Sequence, residues 1–146
     1  MREDNDQNLY CLDFNQEGTM FATAGKDSKV RIYDDQTKHL ACTLHDRGSN
    51  LPGHSLRVYC VKFSKTDSNI LVSGGWDNTI QVYDLRYRGP IKSMFGPQIC
   101  GETIDFKSDG YTMLTGSFRS ENCLELWDLR MFRAVRVIPW GGTGSF

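Results

Sequence analysis

Short runs of alternating apolar and polar residues, broken by turns, fill most of the chain. The clearest is Thr79-Ile80-Gln81-Val82-Tyr83, which alternates with period two and is rich in β-favouring types. That pattern predicts a strand with one face in a core. Before it, Asn69-Ile70-Leu71-Val72-Ser73 reads as a second strand, entered through a polar turn at 64–68 and left through the turn phrase Gly74-Gly75-Trp76-Asp77-Asn78. Val58, Val61 and Phe63 open this unit, and a weaker apolar stretch at 91–95 closes it. The unit is predicted to hold four strands, and no stretch repeats with helical period.

The same unit is written three times. Gly25-Lys26-Asp27-Ser28-Lys29-Val30-Arg31-Ile32-Tyr33-Asp34 copies residues 75–84, and Leu124-Glu125-Leu126-Trp127-Asp128 is a looser third copy. The upstream phrases Leu12-Asp13-Phe14, Val61-Lys62-Phe63 and Ile104-Asp105-Phe106 recur with them. Their Phe residues lie 49 and 43 apart, and Tyr33, Tyr83 and Trp127 lie 50 and 44 apart. Two independent anchors with one period indicate duplication, and a period of roughly 40–50 residues indicates a repeat architecture. The chain is predicted to be all-β, with a polar N-terminal segment at 1–8, units at about 9–51, 52–98 and 99–140, and a Gly-rich tail at 141–146.

These residues carry a family resemblance. The Gly53-His54 pair, the Phe63-Ser64 step, the Ser73-Gly74-Gly75-x-Asp77 turn, Tyr83-Asp84 and the literal Trp127-Asp128 resemble the WD-repeat β-propeller pattern. Units one and three lack the Gly-His pair, and Arg119 stands near where unit three should have its Asp. The resemblance implies a β-propeller arc of about three four-stranded antiparallel blades, an incomplete ring. A closed ring takes about four to eight blades. Another chain or further repeats are expected to complete it.

Composition narrows the function. The 146 residues are 39% hydrophobic with a net charge of −1, which suits a folded domain. No basic excess points to nucleic acid, no apolar run to a membrane, and the acidic, polar start has no signal-peptide core. Five cysteines, odd in number and without a C-x-x-C pair, read as reduced strand residues in a cytoplasmic or nuclear protein. His39, His45 and His54 share no ligand spacing, so no metal or cofactor is expected.

His54, Ser73 and Asp77 superficially spell a nucleophilic triad. By the resemblance they form instead, with Tyr83, a structural tetrad that satisfies buried polar groups. The chain is therefore expected to be no enzyme. A channel active site, the reading from another class, would need convergent acids or bases on the innermost strands. The leading expectation is a non-catalytic scaffold that binds proteins or peptides through its blade rims. By position, the resemblance implies rim residues Tyr10 and Lys26 in unit one, Arg57, Tyr59 and Trp76 in unit two, and Glu102 and Phe118 in unit three. Exposed aromatics and Arg dominate interface hot spots. The polar loop 45–52 could extend that rim. The alternative is a substrate receptor of cullin-4 ubiquitin ligases, docking through Arg86 and Arg130 of the Tyr83-Asp84-Leu85-Arg86 and Trp127-Asp128-Leu129-Arg130 endings.

Overall fold

The computed structural model describes residues 8–44, 51–87 and 89–141. The N-terminal segment up to residue 7, most of the loop at 45–52 and the tail beyond 141 lie outside the described residues. Among the described residues there are twelve strands and no helix, arranged as three four-stranded antiparallel sheets. Blade one holds β1 Leu9–Phe14, β2 Met20–Gly25, β3 Val30–Asp34 and β4 Leu40–Leu44. Blade two holds β5 Val58–Phe63, β6 Ile70–Gly75, β7 Thr79–Asp84 and β8 Gly89–Phe95. Blade three holds β9 Ile104–Phe106, β10 Thr112–Gly116, β11 Leu124–Asp128 and β12 Arg133–Ile138. Each sheet runs in sequence order.

Two cores lie between the blades. Ala22, Val30, Ile32 and Leu44 of blade one bury themselves against Val61, Phe63, Leu71 and Tyr83 of blade two. Cys60, Val72, Ile80 and Met94 on the other face of blade two meet Ile104, Phe106, Met113 and Trp127 of blade three. Blade two is thus covered on both faces, so β6 and β7 are buried along nearly their whole length, although the period-two alternation of β7 predicts only one buried face. The duplication extends to irregularities. All three blades shift register at one β3-type position, before Tyr33, Tyr83 and Trp127.

One local reading differs. Gly74 and Gly75 belong to β6, and the turn is only residues 76–78. A Cβ on Gly75 would stand 2.3 Å from the Arg57 carbonyl oxygen, and one on Gly74 would stand 2.6 Å from Ile99. The glycines admit close neighbours inside a strand; they do not make the turn. Asn78 supplies the turn geometry with φ of 62°, as Ser28 and Asn122 do at 66° and 52°.

Candidate partner-binding rim

All three β2–β3-type turns sit at the same end of the blades. One backbone bond recurs there. The amide of Lys26 donates to Asn8 at 2.9 Å, that of Trp76 to Arg57 at 2.9 Å, and that of Phe118 to Gln98 at 2.8 Å. Each ties the turn residue to the segment that enters the innermost strand.

Those innermost strands carry a second device. β1 and β5 each shift register inside the same three residues, Leu9/Cys11 and Val58/Cys60. The bulged residues are Tyr10 and Tyr59. A bulge re-aims the side chain it carries, and here both rings turn toward the rim and meet. Tyr10 stacks on Tyr59 with centroids 4.9 Å apart and planes 4° apart. Tyr59 meets Trp76 at 6.3 Å, and Trp76 stacks on Phe118 at 6.1 Å. The result is an unbroken aromatic ladder across three blades. Trp76 is 38% exposed and Phe118 68%, while the two tyrosines are half-buried. Arg57 and Glu102 are exposed beside it, and Lys26 is half-buried. Glu102 holds in blade three the place of Tyr10 and Tyr59, four residues before the Phe anchor, so the ladder there depends on Phe118 alone.

Beneath the ladder lies a polar chain. His54 Nδ1 is 2.9 Å from Asp77 Oδ2, and Nε2 is 2.7 Å from Ser73 Oγ. Tyr83 is hydrogen-bonded to Ser73 in turn. With a neutral imidazole the order follows. The phenol donates to Ser73, Ser73 donates to Nε2, and Nδ1–H donates to the carboxylate. Burial pushes the Asp77 carboxyl up, but His54, Thr79 and the Ser55 amide outweigh it and hold it below the usual range. Burial pushes the Tyr83 phenol up to about 12. Ser73 is fully buried and the His54 side chain has no exposure, so this constellation offers no nucleophile to a substrate.

The other blades solve the same position differently. In blade one Arg31 pairs with Asp27 at 2.7 Å. In blade three the signs reverse, with Arg119 in the turn and Glu125 on the strand, 2.6 Å apart. Arg31, Gln81 and Glu125 occupy one register position, opposite Thr23, Ser73 and Thr115. Trp127 donates its indole N–H to Thr115 at 3.0 Å, the counterpart of Tyr83 on Ser73.

Arg86 and Arg130 lie at the opposite end of the strands, after β7 and β11. Each is held by the Asp two residues before it, Arg130 Nη2 at 3.0 Å from Asp128 and Arg86 Nε at 2.8 Å from Asp84. Arg130 also lies over the Tyr111 ring at 3.7 Å. Both remain 61% exposed. Of the three histidines, His45 lies outside the described residues, and His39 is exposed and far in sequence from His54. On the innermost strands, Asp13 accepts from the Phe63 amide at 2.8 Å, a link between blades one and two. Sequence reasoning missed Trp140, which with Phe118 borders a cavity of about 410 Å³ at the end of blade three. Its only signal was an isolated Pro139-Trp140 step after the last apolar run.

Comparison with known proteins agrees with this architecture. The family model described as "WD domain, G-beta repeat" matches residues 3–34 and 46–84. The chain is 33% identical over 127 residues to Transducin beta-like protein 3 of Bos taurus, covering 86% of this chain and 15% of that protein. It is 27% identical to the Ribosome biogenesis protein WDR12 homolog of Anopheles gambiae, over 76% of this chain and 25% of that one. It is 28% identical to the Poly(A)+ RNA export protein of Schizosaccharomyces pombe, over 62% and 24%. The chain therefore spans a quarter or less of the length of these relatives.

Proposed function

The chain belongs to the WD-repeat family, and on that premise we propose that it is a non-catalytic scaffold that holds partner proteins or peptides on its aromatic rim. The observation that carries this reading is the ladder Tyr10–Tyr59–Trp76–Phe118, four rings in contact across three blades. Aromatic rings bury much area for few lost rotamers, which makes them effective anchors. The tight turns and the Asp77 network beneath them keep the rings in place before a partner arrives, so little ordering is needed on binding. Arg57, Lys26 and Glu102 border the ladder and give it mixed charge for selecting among partners. β4 ends at Leu44 and β5 begins at Val58 on this same end of the blades. A cytoplasmic or nuclear setting belongs to this reading, in keeping with five cysteines that form no disulfide.

The test is affinity capture from cell extract, with bound proteins identified by mass spectrometry. The variant Trp76→Ala/Phe118→Ala should lose the main partner and keep the wild-type fold. The variant Arg86→Ala/Arg130→Ala should keep it. The opposite pattern would replace the rim by the far end of the blades and favour docking on a ligase adaptor.

A further inference from the structure

The aromatic ladder has a particular shape. Tyr10 and Tyr59 stack nearly parallel, at 4°, and Trp76 and Phe118 stack at 25°. Where the two pairs meet, the planes of Tyr59 and Trp76 are inclined at 57°. The ladder is therefore two short stacks set at an angle, not a flat sheet. It also carries unused hydrogen-bond donors. Among the described residues, the phenol hydroxyls of Tyr10 and Tyr59 and the indole N–H of Trp76 make no hydrogen bond. Neither phenol oxygen is a buried atom left without a partner, so both reach solvent, and the Trp76 side chain is 38% exposed. The exposed Arg57 guanidinium beside them makes no ion pair among the described residues.

A surface of ring faces and unused donors complements a ligand of apolar rings and unused acceptors. A proline-rich segment is such a ligand. The polyproline II helix has no internal hydrogen bonds, so its carbonyls are free, and proline has no N–H to strand against a ring. A rise of about 3.1 Å per residue puts every second residue about 6 Å further on. That matches the centroid spacings of 6.3 Å from Tyr59 to Trp76 and 6.1 Å from Trp76 to Phe118. With three residues per turn, such a helix offers two of its three faces at once, which suits two inclined stacks. It is stiff before it binds, so little order has to be imposed. Charge then selects the ends of the ligand. Arg57 and the half-buried Lys26 border the ladder in blades one and two, and the exposed Glu102 borders it in blade three. A cationic ligand group on the tyrosine half would meet Arg57, whereas an acidic one would pair with it.

We propose that the rim takes a proline-rich peptide in the polyproline II conformation, with an acidic residue at the end that reaches Arg57. Its prolines lie on the two ring stacks, and its carbonyls accept from Tyr10, Tyr59 and Trp76. This rests on the reading of the rim as the partner-binding surface and adds the chemistry of the partner.

Fluorescence anisotropy of the chain with labelled synthetic peptides tests it. The probe is Asp-Asp-Pro-Leu-Pro-Pro-Leu-Pro, beside one copy with alanine at every proline and another with lysine at both aspartates. The chain should bind the probe at least ~10-fold more tightly than the alanine copy and about threefold more tightly than the lysine copy. Arg57→Glu should reverse the second preference. Tyr10→Phe/Tyr59→Phe keeps the rings and removes two donors, and should weaken the probe by about 10-fold. Trp76→Ala/Phe118→Ala should abolish binding with the wild-type circular dichroism retained. Equal binding of the probe and its alanine copy would overturn the proposal. So would wild-type preference for the lysine copy, which would mean that the rings take a cation, or tighter binding of single-stranded oligothymidylate than of any peptide, which would mean that they take bases. If the probe fails while affinity capture still depends on Trp76 and Phe118, the rim stands and only the proline-rich partner falls. Capture that ignores both residues would overturn the rim itself, and this proposal with it.

Discussion

Arg31 reaches back to Asp27 at 2.7 Å and does for blade one what His54 does for Asp77 in blade two. The difference is burial. The Arg31 and Asp27 side chains are 22% and 23% exposed, those of His54 and Asp77 0% and 6%. Asp77→Ala should therefore cost about 1–3 kcal/mol, since it strands a buried imidazole N–H and the Ser55 amide. Asp27→Ala should cost no more than about 1 kcal/mol. Denaturant midpoints of the two variants check this, and equal losses would contradict it.

Blade three carries the pair with reversed sign. Arg119→Ala leaves the Glu125 side chain, 9% exposed, without its cation. A loss of about 2–3 kcal/mol is expected, less than for a fully enclosed pair because Arg119 keeps 27% exposure. Adding Glu125→Gln should recover part of it. A double-mutant cycle reads the coupling directly, and additive losses would show that the pair contributes nothing.

High pH should loosen the inter-blade cores. Burial raises the Tyr83 phenol to about 12, the Cys11 thiol from 9.0 to about 12 and the Cys60 thiol from 9.0 to about 11. Each folded-state value lies above its unfolded one, so the neutral form is favoured by folding. The stability from these groups is complete below about pH 9 and falls as pH rises toward 12. Urea midpoints measured from pH 8 to the alkaline limit should decline, and Tyr83→Phe with Cys60→Ala should flatten the slope. An unchanged slope would mean that other groups drive it.

Gly75→Ala should destabilise by at least ~2 kcal/mol, because the new methyl meets the Arg57 carbonyl that anchors the Trp76 amide. Gly101→Ala meets nothing within 4 Å and should stay within about 0.5 kcal/mol of wild type. Thermal melts of the two variants distinguish a glycine that admits backbone from one that does not.

Strand order and blade count were legible because period-two patterning and the Phe and aromatic-Asp anchors survive in all three copies. Glycine misled locally. Gly74-Gly75 reads as turn chemistry, yet both lie in β6, because what they admit is a neighbour distant in sequence. The rim residues could be placed on one end of the blades by position. That their rings touch could not be read, because the contacts depend on bulges at Tyr10 and Tyr59 that no local pattern marks. Arg119 was visible as a misplaced residue, but its partner Glu125 was not, since two extra turn residues hide the alignment. The exposure of Leu12 and Phe14 was equally hidden. Their phrase matches the buried ones, and only the neighbouring blade makes the difference.

The most direct test of the rim is hydroxyl-radical footprinting of the chain with and without the partner that affinity capture identifies. Side-chain oxidation at Trp76, Phe118, Tyr59 and Tyr10 is expected to fall on binding, while Tyr87, 70% exposed at the opposite end beside Arg86, should oxidise as before. Protection of Tyr87 with the four rim aromatics still fully oxidised would contradict the rim as the binding surface.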